Sequence, residues 1–362
     1  MTDETLTQIC QAIRDRVTER KPGEPIRVFS IASAKTTVLQ YAAAGLMAAL
    51  KRQGCETLVM LTHGEDGAGL KVMDAIVRFD PHVIVTINFV LNEVNRSVYR
   101  VSWWQDFMPA LNSPLDWRPR DRTYAVDVLV PQLTDSGCIN PQRQEMCIDE
   151  SIFRLKPEIE RQDRVVMIGS SYLETMAGSW GMAWETLSAW MARGERVTED
   201  IITKVASVAR ARREDVLWYV LPKLVRQRTV EWLCQCSDST YIDVYGRGWE
   251  TNPIVAPFFR GEVKHGPAVA DIYNGAKYAL VSHGFSINSQ RLSEATACGA
   301  IPLVYDCRAL SAPPHWDNEM LPYHSLATLR AQIGKVPVSD PRAIASYATY
   351  DKFAKRILED IC

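Results

Sequence analysis

Short apolar runs alternate with longer helical patterns along residues 26–89, and this alternation limits the possible folds more than any other feature of the sequence. Three runs rich in β-branched and apolar residues are predicted to be buried strands: residues 26–32, 55–62 and 82–89. Two segments with apolar residues at helical spacing separate them: residues 37–53 and 69–81. A β-α-β-α-β order predicts a parallel sheet covered by helices.

The same pattern starts again in the second half of the chain. Four further strands are predicted there, at residues 164–171, 241–249, 277–284 and 301–306. Two more are predicted in the first half, at residues 99–106 and 124–131. A length of 362 residues is itself typical of two domains. The sequence therefore predicts an α/β fold with two facing Rossmann-like domains.

The predicted domains are residues 1–155 and 156–338, followed by a C-terminal helix over residues 339–362 that packs back across the domain junction. Residues 172–235 carry a helical pattern too long for one crossover connection, so they are predicted to be a helical insertion in the second domain. Pro222 should kink or break this stretch. The insertion contains five tryptophans, which makes it a candidate surface for homo-oligomer formation or acceptor docking.

Composition and charge exclude several classes of protein. The formal net charge of -2 shows no excess of Lys and Arg, so nucleic acid is not an expected partner. The first residues lack the apolar core of a signal peptide, and no run of about 18 apolar residues is present to form a transmembrane segment. Nine scattered cysteines indicate reduced thiols in a cytoplasmic protein, and the spacing of Cys234 and Cys236 is not typical of zinc sites. No bound metal is predicted.

The densest group of polar residues follows the predicted strand at 277–284. Gly284 ends this strand and permits close approach of another backbone. Three residues can cap the helix that follows: Ser286, Asn288 and Ser289. The free N–H groups at the start of that helix would form an anion site suited to a diphosphate. His283, beside Gly284, is either a contact of a bound sugar or phosphate or a partly buried imidazole.

Arg291 and Glu294 lie three residues apart, so they share one edge of the same predicted helix. An arginine near a phosphate and a carboxylate that accepts two ribose hydroxyls would together hold a nucleotide. The alternative is an exposed Arg–Glu pair that only supports the helix.

Four motifs follow one another in the second half of the chain: VYGRGWE, FFRGEV, VADIYNGAKYALVSHG and QRLSEATACGAIPLVYD. In this order they closely resemble the nucleotide-binding half of GT-B glycosyltransferases, and more narrowly the CgeB-like (spore-maturation) group. The resemblance covers residues 164–310. Residues 80–153 resemble the N-terminal half of that group more loosely.

The resemblance implies that Glu294 binds the ribose of the donor. It also implies four further residues near the nucleotide: Arg247, Gly248, Val263 and His265. Many retaining relatives carry a second Glu, which contacts the transferred sugar, eight residues before the ribose-binding one. Ser286 occupies that position here, so the resemblance defines neither the sugar nor the stereochemical course.

Asp106 and His63 are the predicted catalytic residues, because each follows a predicted strand at the edge where ligands bind in such sheets. A carboxylate at the end of strand 99–106 could accept the proton of an acceptor hydroxyl. The alternative for Asp106 is that it caps the next turn. Asp66, close to His63, is a weaker candidate of the same kind. Arg247 could neutralise a leaving diphosphate without metal.

The sequence therefore predicts a metal-independent glycosyltransferase that uses a nucleotide sugar and a protein or glycoconjugate acceptor. UDP-sugar is the donor that the resemblance favours, and no other cofactor is expected. Two alternatives keep the same architecture: a nucleotide-sugar epimerase or hydrolase, and a sugar-nucleotide-binding protein without catalysis.

Overall fold

The computed structural model of the chain describes residues 3–34, 37–62, 68–106, 115–172, 176–238, 240–310 and 316–362. The chain forms two compact units. The N-terminal unit contains Met1–Asp149 and Ala348–Cys362, and the C-terminal unit contains Glu150–Tyr347. The chain thus leaves the first unit at Asp149, before the predicted boundary at residue 155, and its last segment belongs to that unit again.

The N-terminal unit is built on a six-stranded sheet in the order β2-β1-β3-β4-β5-β6, and its paired strands are parallel. The strands are β1 (Arg27–Ser33), β2 (Glu56–Thr62), β3 (Val83–Ile87), β4 (Tyr99–Trp104), β5 (Arg122–Ala125) and β6 (Gln142–Arg143). The helices before residue 150 are α1 (Asp3–Asp15), α2 (Thr37–Arg52), α3 (Ala68–Phe79) and α4 (Val130–Asp135).

The C-terminal unit contains a five-stranded parallel sheet in the order β11-β10-β9-β7-β8. Its strands are β7 (Gln162–Ile168), β8 (Tyr241–Tyr245), β9 (Ala276–Val281), β10 (Ile301–Tyr305) and β11 (Leu321–Tyr323). Its helices are α5 (Gly178–Ala192), α6 (Glu199–Ala209), α7 (Arg213–Asp215), α8 (Leu221–Cys234), α9 (Pro267–Asn274), α10 (Gln290–Ala297), α11 (Leu326–Gln332) and α12 (Arg342–Ser346). Two parallel α/β sheets confirm the predicted fold class.

Helices α5 to α8 share one hydrophobic core with the sheet of the C-terminal unit. Leu187, Ile202 and Val225 on these helices are buried in the same cluster as Val165 and Leu280 on the strands. Helical propensity alone would not hold such short helices in place, whereas burial of an apolar face against the sheet does.

Pro222 lies in the first turn of α8, directly after a π-helical segment over Val216–Val220. A proline in the first turn of a helix lacks only an N–H that has no partner within that helix. At the predicted break the chain stays helical, but its geometry changes from a π-helix before Pro222 to an α-helix that contains it.

The C-terminal segment forms two helices, α12 and α13 (Tyr350–Ile361), where the sequence predicted one. The first ends at Ser346, and Thr349 begins the second, because its side chain caps α13 by accepting the N–H of Lys352 at 3.3 Å. Tyr347 lies in the break between the two helices and is 69% exposed. Helix α13 packs in the N-terminal unit through Phe353, whose ring centroid is 5.0 Å from that of Trp103.

The strand predicted over residues 124–131 is shorter than expected. Strand β5 ends at Ala125, and the apolar residues that follow form a 3₁₀ turn (Asp127–Leu129) and then helix α4, with Pro131 in its first turn. A short apolar run does not distinguish a strand from a buried helical turn. The proline favours the helical start.

Candidate functional site

The loops that follow β7 and β8 are joined at the carboxyl end of the C-terminal sheet. The Ser171 N–H donates to the carbonyl of Arg247 at 2.8 Å, and the Arg247 N–H donates to Oγ of Ser170 at 3.3 Å. Gly246 has a φ of +126°, and a Cβ there would lie 2.4 Å from the carbonyl oxygen of Gly169. Only glycine permits this approach, so the two loops form one rigid edge.

Trp249 and Gly248, which follow β8, help to hold these two loops together. The indole Nε1 of Trp249 donates to the Gly169 carbonyl at 2.7 Å, and the ring is fully buried. Gly248 has a φ of 85° and begins the 3₁₀ turn that carries the tryptophan. Trp249 is therefore a packing residue of this edge.

Ser289 is the residue that caps α10, since its Oγ accepts the N–H of Leu292 at 3.3 Å. Ser286 and Asn288 shape the turn before the helix instead: Oγ of Ser286 accepts the N–H of Asn288 at 3.1 Å, and both residues are buried. Gly284 packs against α8, where a Cβ would lie 2.9 Å from Cα of Pro222. The turn after β9 therefore depends on a glycine for a close helix contact.

Glu294 lies at the centre of a cluster of polar residues at this end of the sheet. Its Oε1 lies 2.6 Å from Nε2 of His265, and its Oε2 accepts a hydrogen bond from Nη1 of Arg291 at 2.5 Å. The side chain has no exposed surface. Burial opposes ionisation, but Arg291 and His265 outweigh it and hold the pKa of this carboxyl below its usual range.

The groups around this carboxylate come from several elements. Nε2 of Gln290 lies 3.4 Å from Nε2 of His265, and the ring of Phe153 is 5.3 Å from the imidazole, centroid to centroid. Tyr273 on α9 also acts on Arg291. Burial alone would lower the pKa of Arg291, but Glu294 and Tyr273 together have the larger effect, so this pKa is raised overall. The Arg291–Glu294 pair is thus a buried network and not an exposed helix pair.

The remaining residues that the resemblance implied lie nearer the surface. Val263 is partly exposed and stands two residues before His265 in the chain. The Arg247 side chain is 73% exposed, and its Nε lies 3.7 Å from a carboxylate oxygen of Glu262. An exposed ion pair of this length contributes little energy.

His283 lies at the end of β9, with its ring packed edge-on against Phe285 at 4.6 Å. Burial lowers the pKa of His283 to about 4, and the positive charge of Arg226 adds to this effect. The imidazole is therefore neutral at pH 7 in the unliganded protein.

Arg226 is a residue of this site that sequence reasoning missed. It projects from α8 toward the end of β7, where its Nη1 donates to the Ser170 carbonyl at 3.4 Å. Its Cζ lies 4.5 Å from the ring centroid of Tyr172. Burial, together with the charge of Arg291, lowers the pKa of this guanidinium.

In the N-terminal unit, Asp106 follows β4 and is oriented by Asn88 at the end of the neighbouring strand β3. Nδ2 of Asn88 donates to Oδ2 of Asp106 at 3.1 Å, and Oδ1 of Asn88 accepts the Asp106 N–H at 3.1 Å. The residue as a whole is accessible, while packing around its carboxyl raises the pKa. His63 and Asp66 lie outside the described residues.

Glu145 is a second buried acid at the same edge of the N-terminal sheet that the sequence did not indicate. Its side chain is 13% exposed and accepts a hydrogen bond from Nε of Arg143. Burial raises the pKa of Glu145 to about 7, and the nearby charge of Asp127 adds to this. Ala125 of β5 pairs with Arg143 of β6. Asp127 and Glu145, each two residues further along, therefore lie side by side after the ends of these strands.

An open cavity of about 700 Å³ lies at the opposite edge of the C-terminal sheet. It is lined by residues at the amino ends of β7 and β8, among them Arg161, Arg164 and Tyr241. Ligands of open parallel sheets bind beyond the carboxyl ends of the strands, so the cluster around Glu294 is the better candidate site.

Within the described ranges, no helix has both the length and the apolar character needed to cross a bilayer. The same residues contain no group of three or more His, Cys, Asp and Glu side chains that could hold a metal ion. All nine cysteines are free thiols, and seven of them are buried.

Residues 226–359 match the family model described as glycosyl transferase-like. No curated protein sequence matches the chain. Among solved structures, sucrose-phosphate synthase from Thermosynechococcus elongatus is similar with a TM-score of 0.54 at 8% identity, covering 92% of this chain and 98% of that one. WaaG, a glycosyltransferase involved in lipopolysaccharide biosynthesis, gives 0.52 at 12% identity, covering 92% and 99%.

Anabaena HepE, solved in complex with UDP-glucose, is similar to the same degree, with a TM-score of 0.52 at 10% identity and coverage of 92% and 99%. At these identities the structures show a common fold, and the matched segment adds the sequence evidence. The chain therefore has the GT-B type of fold, and its residues 226–359 match a glycosyl transferase-like family.

Proposed function

We propose that this protein transfers a sugar from a UDP-sugar to a protein or glycoconjugate acceptor without using a metal ion. The observation that carries the proposal is the buried cluster of Glu294, Arg291 and His265 at the carboxyl end of the C-terminal sheet, inside the segment that matches the glycosyl transferase-like family. Membership of the narrower CgeB-like group and a cytoplasmic location belong to the same proposal.

Glu294 is the proposed contact of the donor ribose, although the protein already occupies one position on each of its oxygens. A carboxylate oxygen has lone pairs for a second bond, so two ribose hydroxyls can be added to this arrangement. Since the carboxylate has no exposed surface, the donor must displace a covering side chain.

The diphosphate is the proposed counterion of the cations at this edge. The start of α10 presents backbone N–H groups, and Arg291 is held near them by Glu294. Helix N-termini and arginines bind phosphate oxygens without a metal ion. The UDP-glucose complex of HepE, a protein of the same fold, supports UDP as the nucleotide.

Asp106 is the proposed base or acceptor-positioning group. A general base must reach the hydroxyl that it deprotonates and must have a pKa near the working pH. The raised pKa of Asp106 and its fixed orientation against Asn88 both suit this role.

The experiment is a transfer assay with purified protein. A thermal-shift panel of UDP-, ADP-, GDP- and dTDP-sugars first identifies the donor, since a bound ligand stabilises the folded state. The labelled donor is then incubated with candidate protein and glycoconjugate acceptors, and all products are separated. Label on an acceptor, lost in Glu294→Gln, is the expected result.

The other products identify the alternatives. Free labelled sugar as the sole product would indicate a hydrolase, and an epimerised nucleotide sugar would indicate an epimerase. Binding of a nucleotide sugar with no product at all would contradict transfer and indicate a binding protein.

A further inference from the structure

We propose that Arg226 binds the diphosphate of the nucleotide-sugar donor at the carboxyl end of β7. This inference rests on the proposed function and adds a residue of α8 to the donor site. Neither the four motifs nor the pattern of strands and glycines pointed to α8.

The position of Arg226 is fixed by the loop that follows β7. Its Nη1 donates to the Ser170 carbonyl at 3.4 Å, and its guanidinium lies over the ring of Tyr172 with Cζ 4.5 Å from the centroid. A Cβ on Gly169 would lie 3.8 Å from Cζ of Arg226. Stacking on an aromatic ring leaves the edges of a guanidinium available for hydrogen bonds.

Among the described residues, Arg226 has no carboxylate partner, in contrast to two neighbouring arginines. Arg228 pairs with Glu231 at 3.0 Å, and Arg291 pairs with Glu294 at 2.5 Å. In the described part of the chain, no carboxylate contributes to the charge environment of Arg226, whose ionisable neighbours are the phenol of Tyr172 and, more weakly, Arg291. A partly buried cation without an anion is costly, and a bound anion removes this cost.

Other groups that bind phosphates converge on the same place. Gly284 contacts Pro222 of α8 closely, and this contact brings the turn after β9 to the helix that carries Arg226. The charge of Arg226 acts on His283 in that turn, and the charge of Arg291 on α10 acts on Arg226. Arg226 therefore lies close enough to both His283 and Arg291 for their charges to interact.

Diphosphate is the anion that fits this position best. Guanidinium groups bind phosphate oxygens through two parallel N–H donors. Arg247, the residue predicted from the sequence to neutralise the diphosphate, is far more exposed and already lies near Glu262. Arg226 is therefore better placed to stabilise the charge that develops on the leaving group.

The test is calorimetric titration of wild type, Arg226→Gln and Arg226→Lys with three probes. The probes are the nucleoside diphosphate that wild type binds most tightly among UDP, ADP, GDP and CDP, the matching nucleoside, and inorganic pyrophosphate. Arg228→Gln is the matched control, because it lies two residues away on the same helix and pairs with a protein carboxylate. Melting temperatures of all variants establish that they are folded.

Arg226→Gln should weaken the nucleoside diphosphate and pyrophosphate by about tenfold or more, since a bond between charged groups is lost. The nucleoside should bind as it does to wild type. Arg226→Lys keeps the positive charge but lacks the two parallel N–H donors of a guanidinium, so it should retain part of the affinity. It serves as the test if Arg226→Gln fails to fold. Arg228→Gln should bind all three probes as wild type does.

The two proposals fail in different ways. Equal affinity of folded Arg226→Gln and wild type for the nucleoside diphosphate would overturn the role of Arg226 and leave the proposed function intact. An equal loss for nucleoside and nucleoside diphosphate would also overturn it, because the loss would not then act through the phosphates. No binding of any nucleoside diphosphate to wild type would overturn both proposals.

Discussion

Glu294 in the C-terminal unit and Asp106 in the N-terminal unit both lie at the carboxyl edge of a parallel sheet, yet their surroundings are opposite. Glu294 is fully buried between Arg291 and His265, which hold its pKa low. Among the described residues, the uncharged amide of Asn88 is the hydrogen-bond partner of the Asp106 carboxyl, and packing raises the pKa of Asp106. The surroundings of Glu294 thus favour the charged form of its carboxyl, whereas those of Asp106 disfavour it.

This difference shows that position in the fold does not determine chemistry. The strand order places both acids where ligands bind, but the neighbouring side chains decide what each can do. Cations beside Glu294 suit a group that holds a ligand through charge-assisted hydrogen bonds. An amide beside Asp106 fixes orientation without supplying charge, which suits a group that accepts a proton.

The largest expected effect concerns Asp106. Asp106→Asn keeps the size of the side chain and removes its basicity, so kcat for transfer should fall by about a hundredfold or more. The affinity for nucleoside diphosphate should stay within about twofold of wild type. Steady-state kinetics and calorimetric titration measure the two quantities.

Asp116→Asn is the control for Asp106, because Asp116 is an exposed aspartate of the same unit. It should retain the activity of wild type. Full turnover in a folded Asp106→Asn protein would remove Asp106 from the reaction and with it the contrast drawn between the two acids.

Glu294→Ala should have the next largest effect, on binding and on stability together. Loss of the carboxylate should weaken nucleoside diphosphate about tenfold or more and weaken the free base little. Because Arg291 and His265 lose their buried partner, the free energy of unfolding should also fall by about 3 kcal/mol. This loss of stability follows from the complete burial of the Glu294 side chain.

Glu294→Gln separates these two effects, since it keeps the shape and part of the hydrogen bonding. It should recover some stability while still binding the diphosphate poorly. Glu250→Ala, at an exposed glutamate of the 3₁₀ turn after β8, should change neither the melting temperature nor the affinity. Wild-type affinity in folded Glu294→Gln would contradict the role of its charge.

A third prediction uses Glu145, whose folded-state pKa of about 7 lies above its ordinary value of 4.5. The folded state then binds more protons than the unfolded state between these values, so stability should be greatest below about pH 4.5 and fall as the pH rises to about 7. The size of this loss is on the order of 3 kcal/mol. Glu145→Gln should flatten this part of the stability profile, as measured by chemical denaturation at several pH values.

The matching control is Glu150→Gln, at an exposed glutamate nearby in the chain. Its stability should follow the wild-type profile throughout. If Glu145→Gln also follows that profile, then the folded protein does not raise the pKa of Glu145, and the N-terminal edge holds one such acid at most.

The sequence predicted the framework of the fold because each buried parallel strand is a distinct apolar run. The bounds of the observed strands β1, β2, β3 and β10 all lie within a residue or two of the predicted ranges. The run at 124–131 was misassigned, because its length suits a strand and a buried helical turn equally well. The edge strand β11 is too short to show a pattern.

The site was predictable only where its residues are adjacent in sequence. Arg291 and Glu294 share one helix turn, so their pairing follows from their spacing. Arg226 and Arg228 look alike in the sequence, and the packing of α8 alone decides which of them points to the end of the sheet. The same is true of Asn88 and Asp106, which meet because β3 and β4 are neighbours.

The smallest expected effect is a change in the pKa of His283, which reports on the positive charge of Arg226 at the C-terminal site. His283 titrates near pH 4 because it is buried and because Arg226 repels its protonated form. Arg226→Gln removes the second cause only, so the pKa of His283 should rise part of the way toward 6.5. Binding of nucleoside diphosphate to wild type should raise it as well, because an anion favours the imidazolium. NMR titration of the imidazole measures both shifts, with His82 in the N-terminal unit as the internal reference. If the pKa of His283 is the same in Arg226→Gln and in the nucleoside diphosphate complex as in free wild type, then neither Arg226 nor the diphosphate lies near His283. The contrast between the two acids would then depend on Arg291 and His265, the two residues that contact Glu294.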